Sequence, residues 1–96
     1  MTEHNVWIHS VAAILAVILG FLLKISALEW VGVLFAIGLV LAAEALNTCI
    51  EKIMDRLLPD QDETVKYVKD LAAGAVLMAA IVAAIIGVII FLPKII

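Results

Sequence analysis

The sequence is poor in charge and in residues that form covalent cross-links. Only 16% of its 96 residues are charged, and it has one cysteine, Cys49. A single cysteine excludes an internal disulfide. With no second thiol and no suitably spaced histidine, a zinc site at Cys49 is also disfavoured, so we interpret it as a small buried apolar residue. The net charge of -3 and the lack of a basic patch argue against nucleic acid as a partner.

Apolar residues are in large excess, at 67% of the chain with a mean hydropathy of +1.27. No soluble domain of this length needs so much apolar surface, so the composition indicates a membrane protein. The apolar runs predict transmembrane helices at about 6–24, 30–58 and 63–92, the second continuing beyond the hydrocarbon layer. We therefore expect an all-α membrane protein with three transmembrane helices in a single domain, residues 1–96. The first run lacks the basic segment and cleavage site of a signal peptide.

The flanking charges predict how the helices are oriented. Four cations surround the second connection and two lie at the opposite membrane face, the former being Lys52, Arg56, Lys66 and Lys69 and the latter Lys24 and Lys94. The side richer in lysine and arginine is normally cytoplasmic. This places the 44–70 region and Glu3 together on the cytoplasmic side of the membrane.

Small residues recur at four-residue spacing on the predicted spans, which favours close helix packing. The most regular series is Ala75, Ala79, Ala83 and Gly87, a shorter one is Ala12, Ala16 and Gly20, and similar pairs are Gly32/Ala36 and Gly38/Ala42. Three thin helices bury little within one protomer. We therefore expect the chain to assemble with copies of itself.

A polar stripe lies at the cytoplasmic end of the second predicted helix. Glu44, Asn47, Glu51 and Asp55 are spaced by three, four and four residues, so they share one helix face roughly 80° wide. Carboxylates in or near hydrocarbon are costly and usually functional. For the outermost of them, Asp55, a solvated surface position remains the simple alternative.

These residues predict a site for phosphoryl transfer. Together with Glu3 and Asp70, the stripe supplies hard oxygen ligands, for which Mg²⁺ is the expected ion. Nearby cations, Arg56, Lys66 and Lys69, can offset phosphate charge. From the local sequence alone, Glu3 also fits a favourable charge at a helix N-terminus, and His4 and His9 are interpreted as interfacial polar residues. A proton or ion pathway, or a regulatory subunit without enzymatic activity, remains an alternative.

Two segments resemble the signatures of the bacterial diacylglycerol kinase and undecaprenol kinase family. Residues 44–56, EALNTCIEKIMDR, resemble its E-x-x-N-[ST]-x-I-E-x-x-x-D motif, and residues 69–76, KDLAAGAV, look like its K-D-x-x-[AS]-[AG]-A-V motif. Glu3 to Asn5 resembles the acidic segment before the first span. The similarity covers essentially the whole chain, although family members usually open with an amphipathic surface helix that we expect this chain to lack.

The resemblance implies a homotrimeric membrane kinase that transfers the γ-phosphate of ATP to a lipid alcohol, with sites between protomers. It implies that Glu44 is the general base and Asn47 the amide of the site. By the same resemblance, Glu3 and Glu51 bind the nucleotide-associated Mg²⁺. Nucleotide contacts are implied for Lys69 and Asp70 and for the loop residues Asp60, Gln61 and Asp62, which depart from the usual family residues there.

The resemblance favours undecaprenol over diacylglycerol as the lipid substrate. Two stretches look more like the undecaprenol branch, residues 50–52 (IEK) and residues 89–94 (IIFLPK). Diacylglycerol remains the alternative, because both lipids present a hydroxyl at the membrane surface beside an apolar tail.

Overall fold

The structure, a computed structural model, describes residues 3–57 and 63–96, with side chains from Val6 onward. The described chain forms three helices, α1 (Glu3–Leu22), α2 (Ala27–Leu57) and α3 (Glu63–Ile95). They form a narrow bundle with principal extents of 50 × 19 × 18 Å. The predicted nucleotide loop, Asp60 to Asp62, and the side chain of Glu3 lie outside the described part.

The all-helical fold predicted from the sequence is confirmed. Among the described helices, α2 and α3 are long and apolar enough to cross a membrane, whereas the apolar part of α1, Val6–Leu22, is shorter. Large apolar side chains cover much of the exterior, including Leu34 on α2 and Ile89 on α3. Such an exterior fits a hydrocarbon environment, where apolar surface has no reason to turn inward.

The turn between α1 and α2 is fixed by backbone geometry. Lys24 adopts a positive φ of 52°. Its N–H donates a hydrogen bond to the carbonyl oxygen of Phe21 at 3.3 Å, and the N–H of Ile25 donates to the carbonyl oxygen of Gly20 at 3.2 Å. This pattern is a Schellman motif, which satisfies carbonyls at the end of a helix.

A reciprocal pair of hydrogen bonds then starts α2. The Ser26 N–H donates to Oε1 of Glu29 at 2.8 Å, and the Glu29 N–H donates to Oγ of Ser26 at 3.1 Å. This capping box explains why α2 begins at Ala27 and not at Trp30, as the hydropathy predicted.

The main packing surface lies between α2 and α3, and α1 adds fewer contacts. The buried apolar residues of this surface come from both helices: Val33, Ala36 and Val40 of α2, and Val65, Ala72, Val76, Ala79 and Ile90 of α3. Near the α1–α2 turn, Ile25, Val33 and Ile90 form a small core cluster. The cluster holds all three helices at the end opposite the polar stripe.

The α3 helix extends beyond its predicted end at Leu92. Pro93 lies inside the helix, which continues to Ile95. Proline is disruptive because it lacks an N–H and crowds the preceding turn, but here only the last turn is affected. The Lys94 ammonium forms an ion pair with Glu29 at 3.1 Å, which ties this last turn to the start of α2.

The predicted small-residue series on α3 is only partly a packing surface within the protomer. Ala79 is buried, but Ala75 is exposed, and a Cβ added at Gly87 would meet nothing within 4 Å. Close approach also occurs on the other two helices. An added Cβ would lie 2.7 Å from Cη2 of Trp30 at Gly20 and 3.0 Å from Cδ1 of Ile90 at Gly32, and Ala36 is buried. The four-residue period therefore identified packing positions at Gly20 and at Gly32/Ala36, whereas only part of the α3 series packs within the chain.

Candidate active site

The polar stripe on α2 runs from fully buried to exposed. Glu44 and Asn47 are 3% and 2% exposed, Glu51 is half-buried, and the Asp55 side chain is 56% exposed. The four residues share one face because their spacing follows the helical repeat. The structure therefore confirms a common face and shows that its inner half is removed from solvent.

Asn47 and Glu51 are joined by a hydrogen bond within the stripe. The Asn47 Nδ2 donates to Oε1 of Glu51 at 2.7 Å, one helical turn away. The other polar atom of the amide, Oδ1 of Asn47, is buried and has no hydrogen-bond partner among the described residues. Buried polar atoms are normally paired, so this oxygen is a candidate position for a ligand contact.

The Glu44 carboxylate is similarly unsatisfied. Neither of its oxygens has a hydrogen-bond partner in residues 6–57 and 63–96. The Nε2 of His9 lies 3.2 Å from Oε1 of Glu44, close enough for an electrostatic contact but without the direction of a hydrogen bond. An uncompensated buried carboxylate is costly, and His9 is the polar side chain that α1 brings to it.

A polar cleft of about 520 Å³ opens beside this pair. Its polar lining residues come from all three helices: His9, Asn47, Glu51, Lys69 and Asp70. The Lys69 ammonium donates a hydrogen bond to Oδ1 of Asp55, which joins the start of α3 to the end of α2. The cleft thus combines carboxylates, an amide and a cation, a set suited to a phosphate with its counterion.

An apolar groove of about 310 Å³ runs away from the cleft between the three helices. Apart from His9, its lining is apolar and includes Ala16 of α1, Val33 of α2 and Phe91 of α3. His9 and Ala80 border both cavities. A molecule with an apolar chain and a polar end group would fit across this boundary.

Comparison with known proteins identifies the family of the chain. The family model described as prokaryotic diacylglycerol kinase matches residues 1–91. The chain belongs to this family. Prokaryotic diacylglycerol kinases are membrane lipid kinases, so the chain is a phosphotransferase of that class.

Curated relatives in the diacylglycerol kinase family are named after one of two lipid substrates, undecaprenol or diacylglycerol. An undecaprenol kinase of Bacillus subtilis (strain 168) is 42% identical over 93 residues, which cover 97% of this chain and 76% of the relative. A diacylglycerol kinase of Synechocystis is 36% identical over 93 residues, covering 96% of this chain and 53% of the relative. The diacylglycerol kinase of Escherichia coli (strain K12) is 37% identical over 75 residues, covering 78% and 62%. No solved structure gives a significant match.

The donor set of this diacylglycerol kinase family member fits Mg²⁺. Within the described ranges, no group of three or more histidine, cysteine, aspartate or glutamate side chains is close enough to hold a metal ion. Mg²⁺ does not need such a cage, because it is usually held by one or two carboxylates together with substrate phosphates. Glu51 and Asn47 line the cleft, and the Glu51 carboxylate and the buried, unpaired Oδ1 of Asn47 are hard oxygen donors of the kind that Mg²⁺ prefers.

Two sequence-based interpretations of individual residues are corrected by the structure. Cys49 is exposed and not buried, because it lies two residues, or about 200° of rotation, beyond the buried Asn47. His9 is more than an interfacial polar residue, since its half-buried ring contacts Glu44 and lines both cavities. Nothing in the local sequence of α1 indicated this, because the contact depends on how α1 packs on α2.

Proposed function

We propose that the chain transfers the γ-phosphate of ATP to the hydroxyl group of a membrane lipid alcohol. The observation that carries the proposal is the buried, unsatisfied carboxylate of Glu44, which contacts His9, a residue that borders both the polar cleft and the apolar groove. Phosphoryl transfer depends mostly on positioning and on stabilising charge. The polar cleft supplies groups for positioning and for stabilising charge, and the apolar groove beside it has room for an apolar chain.

Glu44 is the proposed general base. When the lipid hydroxyl attacks the γ-phosphorus, its O–H bond breaks and a new O–P bond forms. The bond between that phosphorus and the bridging oxygen breaks, ADP leaves with that electron pair, and the proton passes to Glu44. A carboxylate without internal hydrogen bonds keeps its lone pairs available for this proton.

The polar cleft is the proposed nucleotide site. Lys69 and Asp70, at the start of α3, face it together with Asn47 and Glu51 of α2. Lys69 would lie against phosphate oxygens, for which its ammonium is a suitable point charge. The loop residues Asp60, Gln61 and Asp62 are proposed to complete the nucleotide contacts.

Glu51 and Glu3 would hold the Mg²⁺ that accompanies ATP. When bound, the ion supplies charge neutralisation for the phosphate oxygens. The hydrogen bond from Asn47 fixes the orientation of the Glu51 carboxylate toward the cleft. Asn47 is therefore proposed to belong to the catalytic group through its position between Glu44 and Glu51.

Undecaprenol is the proposed lipid, with diacylglycerol as the alternative. The relative named undecaprenol kinase shares 42% identity with this chain over 97% of its length, compared with 36% and 37% for relatives named diacylglycerol kinase. The apolar groove admits hydrocarbon of either kind. The preference therefore rests on similarity and needs a direct substrate comparison.

We further propose a single membrane domain with three spans, assembled as a homotrimer in the bacterial inner membrane. Two helices meet the length and composition expected of a span, and α1 would be the third. The flanking lysines and arginines support a cytoplasmic position for the polar cleft. A proton pathway is less well supported, because the polar stripe ends at Glu44 and the groove beyond it is apolar.

The proposal is tested with purified protein in mild detergent, with Mg²⁺ and radiolabelled ATP. Undecaprenol and diacylglycerol are offered separately, and the expected result is label in a lipid, with faster turnover of undecaprenol. Glu44→Gln should lower turnover by about two orders of magnitude or more, as expected for loss of a general base. Cys49→Ser, on the opposite face of the same helix, is the matched control and should retain activity. Absence of label in both lipids would contradict the proposed function.

A further inference from the structure

We propose that His9 of α1 is a positioning residue for Glu44. It would hold Oε1 of the carboxylate and so leave Oε2 to receive the proton of the lipid hydroxyl. This inference rests on the proposed role of Glu44 as the base and adds to it a contribution from a different helix. The Nε2 of His9 lies 3.2 Å from Oε1 of Glu44, and the carboxylate is only 3% exposed.

The polar neighbours on α2 do not supply a donor for Glu44. Its nearest neighbour on the stripe, Asn47, directs its amide nitrogen at Glu51, on the side away from Glu44. Both Glu44 oxygens have no hydrogen-bond partner within the part of the chain that the structure describes. The imidazole of His9 therefore offers the Glu44 carboxylate an N–H that α2 itself does not direct there.

A rotation of the imidazole ring would align the hydrogen bond. A separation of 3.2 Å is at the upper end of the range for N–H···O hydrogen bonds. The χ2 torsion of histidine is broad, so turning the ring to align Nε2–H with Oε1 costs little. The His9 side chain is 24% exposed and borders both cavities, so it lies where the lipid chain and the phosphate would meet.

A neutral imidazole suits the task better than a permanent cation. In the tautomer that carries its proton on Nε2, histidine donates one hydrogen bond without adding charge. A lysine or arginine at this position would stabilise the carboxylate and make it a weaker base. With Oε1 held by His9, the proton released by the lipid hydroxyl goes to Oε2 as the oxygen–phosphorus bond forms and ADP departs.

The test compares His9→Gln with His9→Leu. Glutamine places an amide N–H near the position of Nε2, whereas leucine fills the space without a donor. We expect His9→Leu to lower kcat by about tenfold or more while the KM for ATP with Mg²⁺ changes by less than about twofold. His9→Gln should recover most of the lost kcat. Ser10→Ala, the adjacent polar residue of α1, lines neither cavity and serves as control.

A double-substitution cycle distinguishes positioning from general damage to the fold. If His9 acts through Glu44, His9→Leu should cause no further loss in a Glu44→Gln background. Equal kcat in His9→Leu and wild type, or a further loss in the Glu44→Gln background, would overturn the inference. If the leucine variant does not fold, His9→Asn replaces it, because the shorter amide does not reach Glu44. Lack of lipid kinase activity in the wild type would instead overturn the proposed function.

Discussion

Asn47 links the proposed base to the proposed metal ligand, because it lies between Glu44 and Glu51 and hydrogen-bonds the latter. Its amide nitrogen donates to Glu51 at 2.7 Å, and its oxygen is buried without a partner among the described residues. A single side chain therefore hydrogen-bonds one carboxylate and keeps an unpaired oxygen, which we propose faces the ligand. Asn47 can do both because one end of its amide group is a hydrogen-bond donor and the other an acceptor.

Asn47→Asp should test this arrangement with almost no change in shape. The substitution replaces the donor by a carboxylate within hydrogen-bond distance of Glu51, where like charges repel. We expect turnover to fall by about tenfold or more and the Mg²⁺ concentration needed for half-maximal activity to rise. Titrating activity with Mg²⁺ at saturating ATP measures both effects. Cys49→Ser is again the matched control, and an unchanged Mg²⁺ dependence would exclude this role for Asn47.

At the level of residues, spacing predicted the polar stripe because a helix repeat converts sequence intervals directly into a common face. The burial of Glu44 and Asn47 follows from that face being turned toward the other helices. The proximity of His9 to Glu44 and of Asp55 to Lys69 was not predictable in this way. Both contacts join different helices and depend on packing that no local pattern encodes.

The junction between α1 and α2 depends on the absence of a side chain at Gly20. An added Cβ would lie 2.7 and 2.9 Å from the Trp30 ring and 3.1 Å from Cδ1 of Ile25. The Trp30 ring is also packed against Phe21, with ring centroids 4.9 Å apart. The contact with Phe21 restrains the Trp30 ring, so we expect a side chain at position 20 to disturb the close approach of α1 and α2.

Gly20→Ala should therefore destabilise the protein. Overpacking typically costs about 1–3 kcal/mol, which exceeds the gain of about 0.5–1 kcal/mol from replacing glycine in a helix. Gly74→Ala is the matched control, because a Cβ there meets nothing within 4 Å. It should leave the thermal midpoint in detergent unchanged or raise it. A Gly20→Ala midpoint at or above that of Gly74→Ala would contradict the packing argument.

The bounds of the three helices were predictable to within a few residues, and the difference at the start of α2 has a local cause. Hydropathy placed the start of α2 at Trp30, whereas the Ser26–Glu29 capping box begins it at Ala27. That signal was present in the sequence as S-x-x-E. The extension of α3 through Pro93 was not predictable, because it accompanies a contact between Lys94 and Glu29 across the bundle.

At the scale of the whole molecule, the exposed surface of α2 indicates where copies of the chain would contact one another. Its exposed side includes Gly38 and Ala42 at four-residue spacing, flanked by Leu34 and Leu41. An added Cβ at Gly38 meets nothing of its own protomer within 4 Å. In lipid, small residues on an exposed helix face allow another helix to approach closely. We therefore expect this face to contact neighbouring copies in the proposed trimer.

Gly38→Leu should dissociate the assembly without unfolding the protomer. The added side chain has room within one chain, so helicity by circular dichroism should remain that of the wild type. The mass of the protein–detergent complex, measured by native mass spectrometry, should shift from three copies toward one. Gly74→Leu, also at an open glycine but on α3, should keep the wild-type mass. A trimer that persists in Gly38→Leu would show that copies meet through a different face, and a wild-type protein with one copy per complex would refute the homotrimer itself.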